Sequence, residues 1–277
     1  MTSYNVFFTL AIISYLLTLS CALDNPYSSG YVKFSYDDKE QLGSKNWGNL
    51  TSAFEICGKG AQQSPINIQT NATSFNSSIE SLKRDYIAAN ATLINNGHNI
   101  GLVYTSEAGS AVIDGKKYAL KQLRWHFPSE HTIDGKSFAA EVHLLHESTD
   151  GKVAIVSILY NFGDADPFLY QIDAKLPQLS SESCSEQQEA RISAGLIHSR
   201  SLKVTTSKYY RYVGSLTTPP CTENIIWNIL SEVRTMSVDQ GKKLAASYGG
   251  VPNARPIQSL NGRIVQVYNR VINAKKK

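Results

Sequence analysis

The sequence predicts a mainly β protein of the α+β class, in which peripheral helices accompany a dominant sheet. Two observations support this fold class. Short runs rich in β-branched and aromatic residues recur along the chain and are separated by turn residues. Helical periodicity is weaker and is confined to two segments. No internal repeat and no extended low-complexity linker divides the chain, so the sequence does not support a second domain.

The predicted elements follow one another in a simple order. Asp114-Gly115 and Asp134-Gly135 have the composition of tight hairpin turns, and the second is predicted to join strands 122–127 and 140–146 as antiparallel neighbours. Helices are predicted over residues 166–176 and 237–247, the latter with Ser237 as its N-cap. The predicted strands include residues 92–94, 101–104, 111–113, 140–146 and 153–160.

Charge and length narrow the range of partners. The chain has 277 residues, enough for a substantial core. Its formal charge of +4 is spread out, except for three lysines at positions 275–277. Such a short basic end is typical of a solvated tail rather than of a nucleic-acid-binding patch. We therefore expect no nucleic-acid partner.

The N-terminus resembles a secretory signal. An apolar run over residues 6–19 is followed by the small residues Ser20, Cys21 and Ala22, although a basic n-region is missing. We predict a signal peptide at residues 1–22 and one domain at residues 23–277. No later apolar run reaches the ~18 residues that a membrane span needs. A secreted, cell-wall or secretory-pathway protein without membrane attachment is expected, and an uncleaved anchor is the alternative.

Secretion changes how the cysteines and asparagines are interpreted. Removal of the signal leaves Cys57, Cys184 and Cys221. Cys184 lies in a polar stretch, and an odd secreted cysteine either stays free or bridges two chains into a dimer. Both alternatives are open. Four acceptor sequons in the first third of the chain predict N-glycosylation at Asn49, Asn71, Asn76 and Asn90.

Two predicted strands bear the residues of a metal site. Because side chains alternate along a strand, Gln122, Arg124 and His126 share one face, and Glu141 and His143 share a face of the second strand. Two histidines with a carboxylate and an amide beside them are typical of a zinc centre. Such a centre needs three protein ligands, and an arginine is protonated and has no lone pair to donate.

Six further segments resemble, in order, the landmarks of the α-type carbonic anhydrases. The segments 128–132 and 209–223 resemble the secreted plant branch in particular, which also contains storage and nectar proteins. The resemblance extends over about residues 30–270. The landmarks are Gln63-Ser-Pro-Ile-Asn67, Asn96-Gly-His98, Ser129-Glu-His-Thr132, Ser215-Leu-Thr-Thr-Pro-Pro-Cys221, Trp227 and Asn253-Ala-Arg-Pro256.

The resemblance implies a large twisted, mostly antiparallel sheet whose central strands form the floor of a conical cleft. It also implies a disulfide between Cys57 and Cys221, and cis peptides at Ser64-Pro65 and Pro219-Pro220. A bridge over so long a loop contributes roughly 2–4 kcal/mol to stability.

The resemblance further assigns the site. His126 and His143 occupy zinc-ligand positions, and Arg124 stands where the third histidine is expected. Glu141 corresponds to the carboxylate that orients His143, and Gln122 to the amide partner of the missing histidine. The remaining correspondences are a proton shuttle at His98, a hydroxyl and its carboxylate acceptor at Thr217 and Glu130, and a substrate-pocket wall formed by Leu145, Ile155, Leu216, Thr218 and Trp227.

Three functions remain open at this stage. The first is a carbonic anhydrase family protein whose zinc binding and CO2 hydration are impaired by Arg124. The second is an active secreted zinc enzyme that converts CO2 and bicarbonate. The third is a non-catalytic storage protein, or one that binds bicarbonate or another small anion. We expect the Arg124 guanidinium beside the vacated metal position, supported by the Gln122 amide oxygen and by Glu141.

Overall fold

The computed structural model describes residues 33–181, 189–202 and 206–270. The predicted signal peptide, Cys184 and the basic tail therefore lie outside the described residues. Within them, no helix is long and apolar enough to cross a membrane.

The described residues form fifteen strands and five short α-helices, joined by turns and 3-10 segments. The strands are β1 Asn67–Ile68, β2 Ser74–Phe75, β3 Lys83–Tyr86, β4 Ala88–Asn95, β5 Ile100–Tyr104, β6 Gly109–Ile113, β7 Lys116–His126, β8 Thr132–Ile133, β9 Ala140–Glu147, β10 Val153–Phe162, β11 Ala190–His198, β12 Lys208–Ser215, β13 Glu223–Leu230, β14 Arg234–Met236 and β15 Gln266–Asn269. The helices are α1 Trp47–Leu50, α2 Ile56–Lys59, α3 Tyr170–Asp173, α4 Leu176–Ser181 and α5 Val238–Ala246.

A large mixed sheet dominates the molecule and confirms the predicted fold class. Its central path runs β11-β4-β5-β7-β9-β10-β13-β12-β15-β2, and β1 and β8 form a separate pair. Most neighbours are antiparallel, while β10 pairs with β13 in parallel. β7 and β10, the two longest strands, flank β9 in the middle of this order.

A β-bulge in β7 determines which side chains reach the functional face. The register against β9 shifts between Leu120 and Gln122, so Lys121 is an extra residue. Tyr118 and Leu120 pack in the main core before the bulge, and Leu123 and Trp125 pack there after it. Without the bulge, the period of 2 that begins at residues 118 and 120 would place residues 122, 124 and 126 in this core. The bulge therefore turns them to the opposite face.

The sheet separates two apolar clusters. The larger one includes Ala140, Val142 and Leu144 of β9, which alternate with the residues on the opposite face. The smaller cluster lies on that opposite face and includes Leu145 and Trp227. Each central strand is consequently buried on both sides.

Several predicted elements are confirmed. Asp114-Gly115 forms a hairpin turn with positive φ at both residues, between β6 and β7. Ser237 caps α5 and completes a capping box with Gln240. Ser64-Pro65 and Pro219-Pro220 are cis, as expected, and Phe127-Pro128 is a third cis bond that was not predicted.

Two predictions need correction. Asp134-Gly135 is a turn, but it closes a small bridge between Ile133 and Lys136 rather than joining β7 directly to β9. The connection is longer because backbone N–H groups at Glu130 and His131 turn inward to bind Glu141. The predicted helix 166–176 is wrong as one element, since it is broken into α3 and α4. Pro177 lacks an N–H group and lies in the first turn of α4, which favours a new helix there over continuation of α3.

Candidate functional site

The central strands present a cluster of polar residues that we call the histidine face. It is the side of β7, β9 and β10 that bears Gln122, Arg124, His126, Glu141 and His143. Arg124 lies opposite His143, and His126 lies opposite Glu141, in the antiparallel register of β7 and β9. The predicted pairing of the two strands is thereby confirmed.

The two imidazoles of this face are close and partly engaged. The ring centroids of His126 and His143 are 4.5 Å apart. His126 Nδ1 lies 2.9 Å from the Asn253 carbonyl oxygen, and His143 Nε2 lies 2.9 Å from Glu141 Oε1. Each ring thus donates one N–H and leaves one nitrogen, His126 Nε2 and His143 Nδ1, for another partner. Burial lowers the pKa of His126 to about 4 and lowers the pKa of His143.

Glu141 organises the floor of the cluster. Its Oε2 accepts the backbone N–H groups of Glu130 and His131, and its Oε1 accepts from His131, His143 and the Ser157 hydroxyl. Burial alone raises the pKa of such a carboxyl. Here the neighbouring His131 and His143 prevail, and the pKa of Glu141 falls well below its usual value. Glu141 is therefore ionised, and its hydrogen bond to Nε2 orients the His143 ring.

Glu130 occupies a second buried carboxylate position. Its Oε1 accepts the Arg255 backbone N–H at 2.9 Å. Burial raises the pKa of Glu130 to about 7, against the opposing effects of His143, Arg255 and the Thr217 side chain. Glu130 Oε2 is shielded from solvent and lacks a hydrogen bond of regular geometry among the described residues. Thr217 and Glu130 are thus neighbours, as the sequence predicts.

Arg124 points elsewhere than expected. Its Nη1 donates to Asn99 Oδ1 at 2.9 Å, over Gly101 on the adjacent strand β5. The predicted support from Gln122 and Glu141 is wrong, because Glu141 is saturated by other donors and Gln122 Oε1 has no partner among the described residues. Gly101 has no side chain, and this absence opens the room that the guanidinium takes.

His98 lies at the edge of the site against the N-terminal segment. Its ring stacks on Phe34 with centroids 4.0 Å apart and meets Tyr36 edge-on at 6.3 Å. The His98 carbonyl accepts from Asn253 Nδ2, and burial lowers the pKa of the His98 ring. The predicted shuttle residue is therefore held in an aromatic cluster.

The predicted pocket wall assembles beside the two histidines. Leu145, Ile155 and Trp227 are buried in the smaller apolar cluster, and Leu216 packs against it. The Trp227 ring lies 4.7 Å from that of His143. Thr218 is half-buried and begins the turn in which its carbonyl accepts the N–H of Cys221.

The donor set determines what kind of metal site this cluster can form. Histidine and carboxylate groups lie within metal-binding distance of each other, in the sets His126–Glu130–His143 and His131–Glu141–His143. Yet the nitrogens that face Glu130 are His126 Nδ1 and His143 Nε2, and both already hold hydrogen bonds. Two imidazole nitrogens remain, and the neighbouring Arg124 offers no lone pair. The residues do not fit the three-ligand arrangement of a catalytic zinc.

The disulfide prediction is confirmed. Cys57 and Cys221 are bonded, with Cα atoms 5.1 Å apart across a sequence separation of 164. Three of the predicted glycosylation asparagines, Asn49, Asn71 and Asn90, are exposed, and Asn76 is half-buried. Their modification remains a prediction.

Sequence reasoning missed several supporting residues. Ser157 on Glu141 lies one strand away, and nothing local marks it. Asn253 and Arg255 were seen only as landmarks, although their backbones hold His126 and Glu130. Gly101 did give a signal, since an isolated glycine inside a strand often marks a close approach.

The structure therefore defines a class of protein with a large mixed sheet and a buried histidine–carboxylate cluster on its central strands. The sequence model of the eukaryotic-type carbonic anhydrase family matches residues 42–269. Alpha carbonic anhydrase 7 of Arabidopsis thaliana is 41% identical over 242 residues, covering 87% of this chain and 86% of the relative. Dioscorin DB3S of Dioscorea polystachya is 40% identical over 259 residues, 93% of this chain and 95% of the relative.

Solved structures agree with this assignment. A crystal structure of dioscorin complexed with ascorbate superposes with a TM-score of 0.82 at 41% identity, over 86% of this chain and 99% of the other. The chain belongs to the eukaryotic-type carbonic anhydrase family. Its relatives include both carbonic anhydrases and dioscorins.

Proposed function

We propose that this protein is a carbonic anhydrase family member in which zinc binding and CO2 hydration are strongly impaired, because Arg124 stands at the position of the third ligand. The observation that supports this most directly is the pair of leftover nitrogens, His126 Nε2 and His143 Nδ1, beside an arginine that cannot ligate. With zinc, the family site supplies a metal-bound water whose pKa is about 7. Loss of one ligand weakens zinc binding, and the positive guanidinium of Arg124 repels the zinc ion.

Gln122 supports the same proposal. Its Oε1 is buried and has no partner among the described residues, although it is the predicted acceptor for an N–H from the missing imidazole. A buried amide oxygen without a donor costs about 1–3 kcal/mol. The surrounding network of Glu141, Glu130 and Thr217 is otherwise intact.

The test compares wild type with Arg124→His. Both proteins are dialysed against zinc, freed of loosely held metal, and analysed for zinc per chain and for CO2 hydration. We expect well below one zinc and little activity in wild type, and a clear gain of both in Arg124→His. Stoichiometric zinc with hydration at the rate of an active family member in wild type would refute the proposal and favour the active-enzyme alternative.

The matched control is Arg200→His, on an exposed turn of the same chain. That substitution also adds a histidine and removes an arginine, but it does so away from β7. It should leave zinc content unchanged. A gain of zinc in Arg200→His equal to that in Arg124→His would show that the added histidine binds metal nonspecifically.

A non-catalytic role in binding a small anion is the second candidate. It is favoured by the half-buried Arg124, for which no ion pair occurs among the described residues. The name dioscorin on close relatives is compatible with a non-enzymatic role but does not identify one.

We also propose that the protein is secreted. The Cys57–Cys221 bridge is typical of oxidising compartments. Exposure of Asn49, Asn71 and Asn90 permits glycosylation on the secretory route. Glycosidase treatment of protein from its native source, followed by mass spectrometry, tests this proposal; unmodified sequons together with a retained residue 1–22 segment would contradict it.

A further inference from the structure

We propose that Arg124, held by Asn99 and Gly101, forms a metal-independent site for a small monovalent carboxylate-type anion such as bicarbonate or a short-chain carboxylate. We call Asn99 and Gly101 the arginine seat. The inference rests on the proposed function, because a tightly bound zinc at His126 and His143 would repel the guanidinium from this side of the face.

The arginine seat packs closely against the Arg124 side chain. Gly101 lies directly opposite Arg124 in the β5–β7 register. A Cβ atom at residue 101 would stand 2.9 Å from Arg124 Nη1 and 3.0 Å from its Cδ. Asn99 is buried, and its own N–H is held by Asn96 Oδ1 at 2.9 Å. The seat therefore holds Nη1 of the guanidinium beside the backbone of Gly101.

The charge of Arg124 lacks a direct partner. Among the described residues, no carboxylate forms an ion pair with this guanidinium. Burial lowers the pKa of Arg124, and the carboxylate that opposes this effect, Glu189, is paired with Arg191. A half-buried cation without a counter-charge is costly, and a bound anion would remove that cost.

The remaining donors of Arg124 have the geometry for a carboxylate. Nη1 is taken by Asn99, while Nε and Nη2 have no hydrogen-bond acceptor among the described residues. These two groups form one edge of the guanidinium fork, which pairs with two oxygens of a planar anion.

Gln122 is expected to distinguish bicarbonate from acetate, two candidate ligands that both offer a planar pair of oxygens. This side chain is 5% exposed, and its Oε1 lacks a donor among the described residues. It lies two residues from Arg124 on the same face of β7, after the bulge. Bicarbonate has a hydroxyl that can donate to Oε1, whereas acetate has none, so we expect bicarbonate to bind more tightly than acetate.

The experiment titrates 15N-labelled, EDTA-treated protein with sodium acetate, sodium bicarbonate or sodium chloride at constant ionic strength. The readout is the Arg124 Nε–H resonance, assigned by its absence from Arg124→Lys. Saturable shifts are expected for acetate and bicarbonate, with a Kd on the order of 1 mM. Arg124→Lys and Arg124→Gln should weaken binding by about tenfold or more, followed through backbone resonances of β5 and β7.

The controls make each outcome decisive. Arg200→Gln removes one exposed positive charge and should leave the Kd unchanged. Gln122→Leu should abolish the advantage of bicarbonate over acetate and spare acetate binding. Absence of a saturable shift, or equal binding of chloride and acetate, would overturn the inference.

Metal analysis of the purified protein before EDTA treatment keeps the two proposals apart. If the protein as purified holds stoichiometric zinc, the proposed function fails, and the titration of the EDTA-treated form still judges the anion site. If zinc is absent and no anion binds, only the present inference fails.

Discussion

Arg124 and Gly101 face each other across β5 and β7, and the guanidinium of the first lies over the bare backbone of the second. A larger side chain at residue 101 would clash with the Arg124 side chain, because both would occupy the same space. The glycine is therefore a structural counterpart of the arginine. This relationship explains how a charged side chain is accommodated on the central strands without disturbing Glu141.

Gly101→Ala should destabilise the protein by about 1–3 kcal/mol, because the new methyl group overpacks the site. Its Cβ would lie 2.9 Å from Arg124 Nη1 and 2.9 Å from Ile94 Cγ1. Urea denaturation measures the change. Arg124→Ala in the same background should recover part of the loss, the Ile94 contact accounting for the remainder. Gly58→Ala, where the nearest atom is 3.5 Å away, is the matched control and should cost less.

How far the sequence predicts this structure depends on the kind of information each element needs. The strands around residues 92–94, 101–104 and 153–160 were predictable because local alternation and β-branched composition report burial directly. The placement of Arg124 with His126, and of Glu141 with His143, on one face of each strand followed from period-2 alternation. The β7 bulge was not predictable, since one extra residue on a strand leaves no distinct composition.

The site shows the same division. The two histidines and Glu141 were recognised through the family motifs, but the contact of Asn253 with His126 and the direction of Arg124 were not. The Arg124 side chain bonds to Asn99 rather than to the expected Glu141 or Gln122. Glu141 is saturated by donors from β10 and from the 127–139 connection, which the sequence alone does not place.

Glu141→Gln should cost about 3–5 kcal/mol of stability, because it breaks a buried charged network. Every hydrogen-bonding group around Glu141 is a donor, so the amide NH2 would oppose either two backbone N–H groups or Ser157 and two imidazoles. Chemical denaturation measures the loss. Glu147→Gln, at the half-buried end of the same strand, should change stability by much less. Equal effects of the two substitutions would mean that the network contributes nothing specific.

Removing the disulfide with Cys57→Ser and Cys221→Ser together should lower stability by roughly 2–4 kcal/mol, through greater freedom of the unfolded chain. The bridge closes a loop with a sequence separation of 164, and both cysteines are buried beside Phe34, Trp47 and Phe54. Guanidinium denaturation with and without reductant measures the effect. Reductant should destabilise wild type and leave the double variant unaffected; sensitivity of the double variant would assign the effect to another disulfide.

His146 should make the protein less stable in acid. It is fully buried in β9, its Nε2 lies 2.9 Å from the Tyr86 hydroxyl, and burial lowers its pKa to about 3. An unfolded histidine has a pKa of about 6.5. Between these two values the unfolded chain binds a proton that the folded protein does not bind.

The free energy of unfolding must therefore fall as pH decreases from about 6.5 towards 3, with a contribution from this residue of at most ~1.4 kcal/mol per pH unit. His146→Gln removes that contribution while keeping an acceptor for Tyr86. The variant should be less stable than wild type at neutral pH, and the gap should narrow as pH decreases. Urea denaturation at a series of pH values measures the gap, with the exposed His198→Gln as control. A gap that stays constant across this range would show that His146 takes up its proton in the folded protein as readily as in the unfolded chain.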